Sequence, residues 1–127
     1  FVAGHPIEKP ETIATAIRIG KPASWDLAVA ARDESGGLID AVTDDQILDA
    51  YRILADKEGF FVEPSSAASV AGLIQQAQRG LVDAGSTIVC TVTGNGLKDT
   101  QWALESAKDP VVVPVDVKAA AAALGLA

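Results

Sequence analysis

Two short motifs contain the residue types and the spacing that a small-molecule site needs. The first is TGNG at residues 93–96, which places a hydroxyl and two glycines directly after a β-branched run at residues 87–93. In open α/β sheets, ligands bind outside the carboxyl ends of strands, and glycine lets a backbone approach a bound group closely. A βα turn that needs glycine at positive φ explains the same residues equally well. A dinucleotide site is disfavoured, because the third glycine of that fingerprint would stand at position 99, which is Asp99.

The second motif is EPSSAASVAG at residues 63–72, a carboxylate followed by very small residues. It follows a predicted strand end, and small side chains there suit close packing beside a ligand. The same pattern fits a helix pressed against a sheet, with Glu63 placing negative charge at the positive end of the helix dipole. The residues by themselves favour this structural interpretation over a ligand site.

The remaining reactive side chains are interpreted as structural. His5, the only histidine, has no neighbouring nucleophile or second ligand and is assigned to a loop. Cys90, the only cysteine, lies within the β-branched run, where a thiol is usually inert. Lys98 follows the TGNG motif and is interpreted as a surface turn residue. One cysteine and one histidine exclude a disulfide framework and an ordinary structural zinc site, so no metal is predicted.

The elements that must position these motifs alternate between helix and strand. Helices are predicted over residues 25–32, 44–58, 64–78 and 116–124, with another resuming after Asp99. Strands are predicted over residues 37–42, 60–63, 87–93 and 111–115. Residues 12–20 fit either a helix or an extended segment. This order predicts an α/β fold, a parallel sheet with helices on both faces, in which the run 87–93 is buried on both sides.

The clearest local signal lies at residues 43–46. The sequence TDDQ fits a capping box, in which the Thr43 hydroxyl bonds the backbone N–H of Gln46. An apolar stripe at helical spacing follows, and Gly59 ends it. A helix is therefore predicted to begin directly after Thr43.

Length and composition limit the classes of function. The chain has 127 residues, a size typical of one domain, and a net charge of −7, which argues against binding to nucleic acid or to an anionic membrane surface. A hydrophobic share of 49% excludes disorder. No apolar run is long enough to span a bilayer and no signal peptide is recognised, so a cytoplasmic location is expected. Methionine is absent even at position 1, which suggests that translation starts elsewhere.

Three stretches together carry a family resemblance. They are ETIATAIRIGKPASW at 11–25, FVEPSSAASVAGL at 61–73 and VCTVTGNGLKD at 89–99. In this order and spacing they resemble the C-terminal part of the threonine synthase family, enzymes that use pyridoxal 5′-phosphate. The resemblance covers essentially the whole chain. It implies that residues 1–127 form part of the large, helix-flanked parallel-sheet domain of the tryptophan synthase β-subunit fold, known as fold type II.

The resemblance also implies an activity and a cofactor-binding edge. The family converts O-phospho-L-homoserine and water into L-threonine and phosphate. By resemblance, Thr93 is the neutral hydroxyl partner of the cofactor's ring nitrogen, while Gly94 and Gly96 shape the turn around the ring edge. Glu63 is similar to a carboxylate found near the ring. Three residues of the first stretch are expected to form a wall facing substrate and cofactor: Ala16, Ile17 and Arg18.

Several family features are missing from the chain. The lysine that links the cofactor, the asparagine beside its 3-hydroxyl and the Gly-rich phosphate loop have no counterpart here. The chain is therefore expected to be a fragment, inactive alone and without a catalytic residue of its own. Its expected partners are the N-terminal portion of the same enzyme and, for the whole protein, a second copy in a homodimer. Two alternatives stay open: a dehydratase or β-replacement enzyme of the same fold, and a non-catalytic α/β module that binds a small metabolite.

Overall fold

The computed structural model describes residues 1–126, so residue 127, the last of the predicted domain, lies outside the described residues. Its helices, in chain order, are α1 (Trp25–Ser35), α2 (Asp44–Glu58), α3 (Pro64–Gln78), α4 (Gln101–Ser106) and α5 (Val117–Ala123). Two 3₁₀ turns, Thr15–Ile17 and Gly96–Lys98, occur in the first and third stretches. Each predicted helix is confirmed to within a few residues.

Local chemistry explains where α2 begins and ends. The Thr43 hydroxyl accepts a hydrogen bond of 3.2 Å from the amide of Gln46, and the Gln46 side chain accepts one of 2.8 Å from the amide of Thr43. This is the predicted capping box. The helix ends at Gly59, whose φ of +72° lies in the left-handed region that glycine adopts without strain.

Helices α2 and α3 pack against each other and bury most of the core. Pro64 occupies the first turn of α3, where its missing N–H costs nothing. The buried apolar residues come from both helices and from the segments that precede them: Ala14, Ile47, Ala50, Tyr51, Leu54, Val62, Ala67 and Ala71. Small alanines on α3 let the two helices approach closely, so this pair forms the frame on which the candidate site is built.

The predicted parallel sheet is not confirmed. Within residues 1–126, the four segments predicted as strands lie outside helices but form no ladder, and a single antiparallel bridge joins Val62 to Asn95. The predicted burial of the run 87–93 is wrong for this chain, since Val89 is 86% exposed. Strands exist only by pairing, and in the described part of the chain no backbone–backbone hydrogen bond links residues 87–92 to another segment.

The ambiguous stretch at residues 12–20 forms a short 3₁₀ turn at Thr15–Ile17. Ala14, immediately before it, is fully buried in the core. Asp44 at the start of α2 fixes this stretch, because its carboxylate accepts hydrogen bonds from the Thr12 hydroxyl at 2.5 Å and the Ile13 amide at 3.3 Å. Among the described helices, none combines the length and the apolar character needed to cross a membrane.

Candidate functional site

Ser66 joins helix α3 to the TGNG motif. Its side-chain oxygen lies 3.0 Å from the Thr93 hydroxyl, 3.1 Å from the Thr93 amide nitrogen and 2.6 Å from the Gly94 amide nitrogen. It also lies 3.2 Å from the Gly94 carbonyl oxygen. Ser66 is 2% exposed, so these contacts are shielded from water. One buried hydroxyl therefore fixes both the backbone and the side chain at the start of the motif.

Sequence reasoning missed Ser66 as a functional residue. It lies in the run SSAAS at residues 65–69, near the start of α3, and composition does not distinguish it from Ser65 or Ser69. Ser69, one turn later, donates to the carbonyls of Thr91 at 3.2 Å and Ser66 at 3.1 Å. Ser66 and Ser69 differ only in which of residues 91–94 lies beside each of them, and that placement depends on tertiary structure.

The backbone pairs Glu63 with Gly94, two residues that the sequence placed at separate strand ends. The Glu63 amide donates to the Gly94 carbonyl at 3.0 Å, and the Gly96 amide donates to the Phe61 carbonyl at 3.1 Å. Glu63 is 7% exposed and stands at the N-cap position of α3, but its side chain makes no capping hydrogen bond. The carboxylate therefore lies beside the motif instead of closing the helix end.

Both glycines of the motif are required for close packing. Neither Gly94 nor Gly96 is among the glycines at positive φ, so the interpretation as a turn needing that conformation is wrong. A Cβ on Gly94 would overlap the Glu63 carboxylate, and a Cβ on Gly96 would lie 2.5–2.6 Å from the Phe61 ring. Within this chain the close packing at these glycines is made to Glu63 and Phe61, and the expected approach to a bound group stays a prediction.

Thr93 is exposed to solvent, although its backbone amide is bonded to Ser66. The residue as a whole is exposed, while its hydroxyl is bound to Ser66 on the protein side. A neutral hydroxyl on an exposed residue, beside a glycine backbone, suits a hydrogen bond to a heteroaromatic nitrogen. The residues present therefore fit the ring-nitrogen edge of pyridoxal phosphate.

The 3₁₀ turn at Thr15–Ile17 is tied to the same region from the other side. The Thr15 hydroxyl donates to the Asp99 carboxylate at 2.8 Å, three residues after Gly96. Ala16, Ile17 and Arg18 are exposed along this turn. The Arg18 guanidinium folds back to its own segment, where Nε donates to the Thr12 carbonyl at 2.8 Å. The three stretches at 11–25, 61–73 and 89–99 thus meet, although no hydrogen bond in residues 1–126 joins 16–18 directly to Thr93.

A cavity that does not include the Thr93 edge is lined in part by Ile17, one of the expected wall residues. Its volume is about 520 Å³, and its other lining residues include Ala41, Ile47, Ala68 and Gln75. Neither Thr93, Gly94 nor Glu63 lines it. Its wall is mainly apolar, whereas the Thr93 edge presents directional hydrogen-bonding groups, so the Thr93 edge is the candidate site.

Two side chains near these features have perturbed acidity. Burial, followed by the charge of Asp99, raises the pKa of Tyr51, whose ring packs edge-on against Phe61 at a centroid distance of 6.5 Å. The amide of Ala41, followed by the Arg79 guanidinium, lowers the pKa of Asp40. Tyr51 therefore stays neutral and supports the ring that fills the space at Gly96.

The other reactive residues lie apart from this edge. The His5 ring is exposed and lies 2.9 Å from the Pro6 carbonyl, and Cys90 is a free, half-buried thiol. Among residues 1–126, no three His, Cys, Asp or Glu side chains are grouped so that they could hold a metal ion.

Comparison with known proteins gives a consistent result. The family described as "Pyridoxal-phosphate dependent enzyme" matches residues 1–94, and this family supports an α/β class. The chain is 55% identical to the threonine synthase of Mycobacterium leprae over 126 residues, 99% of this chain and 35% of that protein. It is 56% identical to that of Halalkalibacterium halodurans over 94% of the chain, and 47% identical to that of Methanocaldococcus jannaschii over 88%. The chain spans 28–35% of the length of these three relatives.

Proposed function

The chain belongs to the family of pyridoxal-phosphate-dependent enzymes, and on that premise we propose that it is the C-terminal part of a threonine synthase. The whole enzyme converts O-phospho-L-homoserine and water into L-threonine and phosphate. The observation that carries the proposal is the similarity to threonine synthases, 55–56% identity over 99–100% of the chain. A similarity of that extent includes all three stretches that meet around Thr93.

Thr93 is proposed to hold the ring nitrogen of the cofactor. Bound pyridoxal phosphate supplies an electron sink for the carbanions of the reaction. The Thr93 hydroxyl donates a hydrogen bond to the nitrogen lone pair and leaves it unprotonated, whereas a carboxylate would favour the protonated nitrogen. Gly94 and Gly96 keep the backbone flat beside the ring edge, and Glu63 places its carboxylate next to Gly94.

The exposed turn around Ala16, Ile17 and Arg18 is proposed as part of the wall facing substrate and cofactor. The hydrogen bond between Thr15 and Asp99 supports this assignment, because it holds the turn against the loop that follows Gly96. The chain itself supplies no catalytic residue in this proposal.

The rest of the enzyme is proposed to cover the run 87–93. Ile88, Val89 and Val92 are exposed, and within the described residues the backbone of 87–92 makes no hydrogen bond to another backbone segment, its one partner being the Ser69 hydroxyl at the Thr91 carbonyl. β-branched residues whose backbone is not yet paired with another strand are suited to form one. We therefore assign this run to the parallel sheet of fold type II, completed by the N-terminal portion, in a cytoplasmic homodimer. Hydrogen exchange of residues 87–92 in the full-length enzyme tests this, with protection expected and rapid exchange contradicting it.

The activity is tested with the full-length enzyme and three substrates. Release of phosphate and L-threonine from O-phospho-L-homoserine is expected, with little turnover of serine or threonine. Turnover of serine or threonine alone would establish a dehydratase or β-replacement enzyme instead. A metabolite-binding protein without turnover of any of them would establish a non-catalytic module.

The Thr93 assignment has its own test. Replacing Thr93→Asp is expected to shift the absorption spectrum of the bound cofactor and to lower turnover, because the carboxylate stabilises a protonated ring nitrogen. Thr93→Ser, which keeps the hydroxyl, is the matched control. An unchanged spectrum in the Thr93→Asp enzyme would reject the assignment.

A further inference from the structure

The hydrogen-bond capacity of Ser66 determines the direction of its bond to Thr93. A serine hydroxyl has one proton to donate and two lone pairs that accept. The amides of Thr93 and Gly94 have only a proton to give, and both point at the Ser66 oxygen, at 3.1 and 2.6 Å. Both lone pairs of Ser66 are therefore occupied by amide donors.

Ser66 is left with a single proton and two possible acceptors. These are the Thr93 hydroxyl oxygen at 3.0 Å and the Gly94 carbonyl at 3.2 Å. The Gly94 carbonyl already accepts from the Glu63 amide at 3.0 Å. The Thr93 hydroxyl oxygen is the better acceptor, because it is closer to Ser66 and accepts no other hydrogen bond within residues 1–126. Ser66 therefore donates to Thr93. The Thr93 hydroxyl cannot donate back, because no lone pair of Ser66 remains.

We propose that Ser66 is a positioning residue that commits the Thr93 hydroxyl to donate its proton outward, towards the ring nitrogen of the cofactor. This inference rests on the proposed function, in which Thr93 meets that nitrogen. It assigns to Ser66 a role that acts through Thr93. Without Ser66, the Thr93 hydroxyl gains a second rotamer in which it accepts instead of donates, and the ring nitrogen is then free to hold a proton.

The contacts of Ser66 are tested first without added cofactor. In the full-length enzyme, Ser66→Ala is expected to speed hydrogen exchange at the Gly94 amide by about tenfold, the loss of one buried hydrogen bond. Ser69→Ala is the matched control, because the Ser69 hydroxyl binds the same segment through Thr91 and makes no hydrogen bond to Thr93 within the described residues. Equal exchange at Gly94 in the two variants would overturn the inference.

The direction of the Thr93 hydrogen bond is tested by the absorption of bound pyridoxal phosphate as a function of pH. Ser66→Ala is expected to shift the spectrum towards that of a protonated ring nitrogen and to move its pH midpoint. Ser69→Ala leaves both unchanged, and Ser66→Thr, which keeps the hydroxyl, restores the original spectrum. If Ser66→Ala proves unfolded, Ser66→Cys replaces it, since a thiol is a weak donor of similar size and is expected to shift the spectrum in the same direction.

A Thr93→Val variant separates failure of this inference from failure of the proposed function. If Thr93→Val alters the spectrum while the Ser66 variants behave like Ser69→Ala, the role of Ser66 is overturned and the Thr93 assignment stands. If Thr93→Val leaves the spectrum unchanged, both are overturned. Non-additive effects in the Ser66→Ala/Thr93→Val double variant are the expected result, because the two residues act through one hydrogen bond.

Discussion

The hydroxyl of Thr15 donates a hydrogen bond of 2.8 Å to the carboxylate of Asp99, a residue 84 positions later in the chain. Asp99 occupies the position where a dinucleotide fingerprint would have its third glycine. Its carboxylate instead ties the turn at Thr15–Ile17 to the loop after the TGNG motif. The residue that breaks the dinucleotide fingerprint, Asp99, thus makes a structural contact at the proposed site.

Removing this contact is expected to weaken substrate binding in the full-length enzyme. Asp99→Ala and Thr15→Val should each raise the KM for O-phospho-L-homoserine by roughly three- to tenfold, the net value of one ordinary hydrogen bond, because this bond to a charged carboxylate is exposed to solvent. The double variant should be no worse than either single one, because both lose the same bond. Steady-state kinetics measure the effect. Asp49→Ala, which breaks only an exposed pair with Arg52, is the control and should leave KM unchanged.

The glycines of the TGNG motif are expected to differ in their tolerance of a methyl group. Gly96→Ala should lower the free energy of unfolding by about 1–3 kcal/mol, because the new Cβ overlaps the Phe61 ring, which is itself packed against Tyr51. Gly94→Ala should cost less, since the overlapping atoms belong to the flexible end of Glu63. Thermal unfolding of the full-length enzyme measures which of the two variants loses more stability.

Gly72→Ala serves as the control for these glycine variants. It lies within α3, and its Cβ would meet nothing within 4 Å. Alanine is favoured over glycine inside a helix by roughly 0.5–1 kcal/mol, so this variant should be slightly more stable than the original protein. Equal losses at Gly94, Gly96 and Gly72 would contradict the packing assigned to the motif.

The capping box of α2 is expected to contribute measurably to stability. Thr43→Ala should lower the free energy of unfolding by about 0.5–2 kcal/mol, because the Gln46 amide loses its acceptor. Thr43→Ser, which keeps the hydroxyl, should retain most of the stabilisation by the cap. Thr100 also precedes a helix, α4, but its side chain makes no capping hydrogen bond, so Thr100→Ala should have little effect. A similar loss in the Thr43 and Thr100 variants, measured by thermal unfolding, would argue against the cap.

Asp40 is expected to make the free energy of unfolding depend on pH in the acid range. Its carboxylate accepts hydrogen bonds from the Ala41 amide and from Arg79 and Gln76, which lower its folded pKa below the usual 3.8. Stabilisation by the charged form is therefore complete above 3.8 and is lost as the pH falls through the folded pKa.

An NMR titration of the Asp40 carboxyl group checks this sign. Its midpoint should lie below 3.8 and should rise in the Arg79→Gln variant. Part of the depression should remain there, because the Ala41 amide, the largest cause, is still in place. A midpoint at or above 3.8 in the original protein would show that these contacts do not favour the charged form.

Features of the chain that depend on neighbouring residues were predictable from the sequence. The capping box at Thr43, the end of α2 at Gly59 and the start of α3 at Pro64 all involve groups within a few positions of one another. Their hydrogen bonds and backbone angles are set by the residues that carry them. The resemblance of three stretches likewise identified the family from local motifs.

Pairings between distant residues were beyond the reach of sequence reasoning. The sequence marked Glu63, Thr93 and Gly94 as candidates, but the bond of Glu63 to Gly94 and the contacts of Ser66 depend on how α3 lies against residues 91–94. The predicted sheet shows the same limit. β-branched character at residues 87–93 is a local property, whereas strand pairing requires another backbone alongside.

The sequence by itself therefore determined the helices, the ends of α2 and α3 and the chemical types at the proposed site, because short-range hydrogen bonds and periodic burial control these. Only the tertiary structure decided that Ser66, among several similar serines, binds Thr93, and that Gly94 and Gly96 serve close packing instead of positive φ. The physical reason is that a hydroxyl has few bonding positions, and which atoms occupy them depends on residues brought together from 27 positions apart.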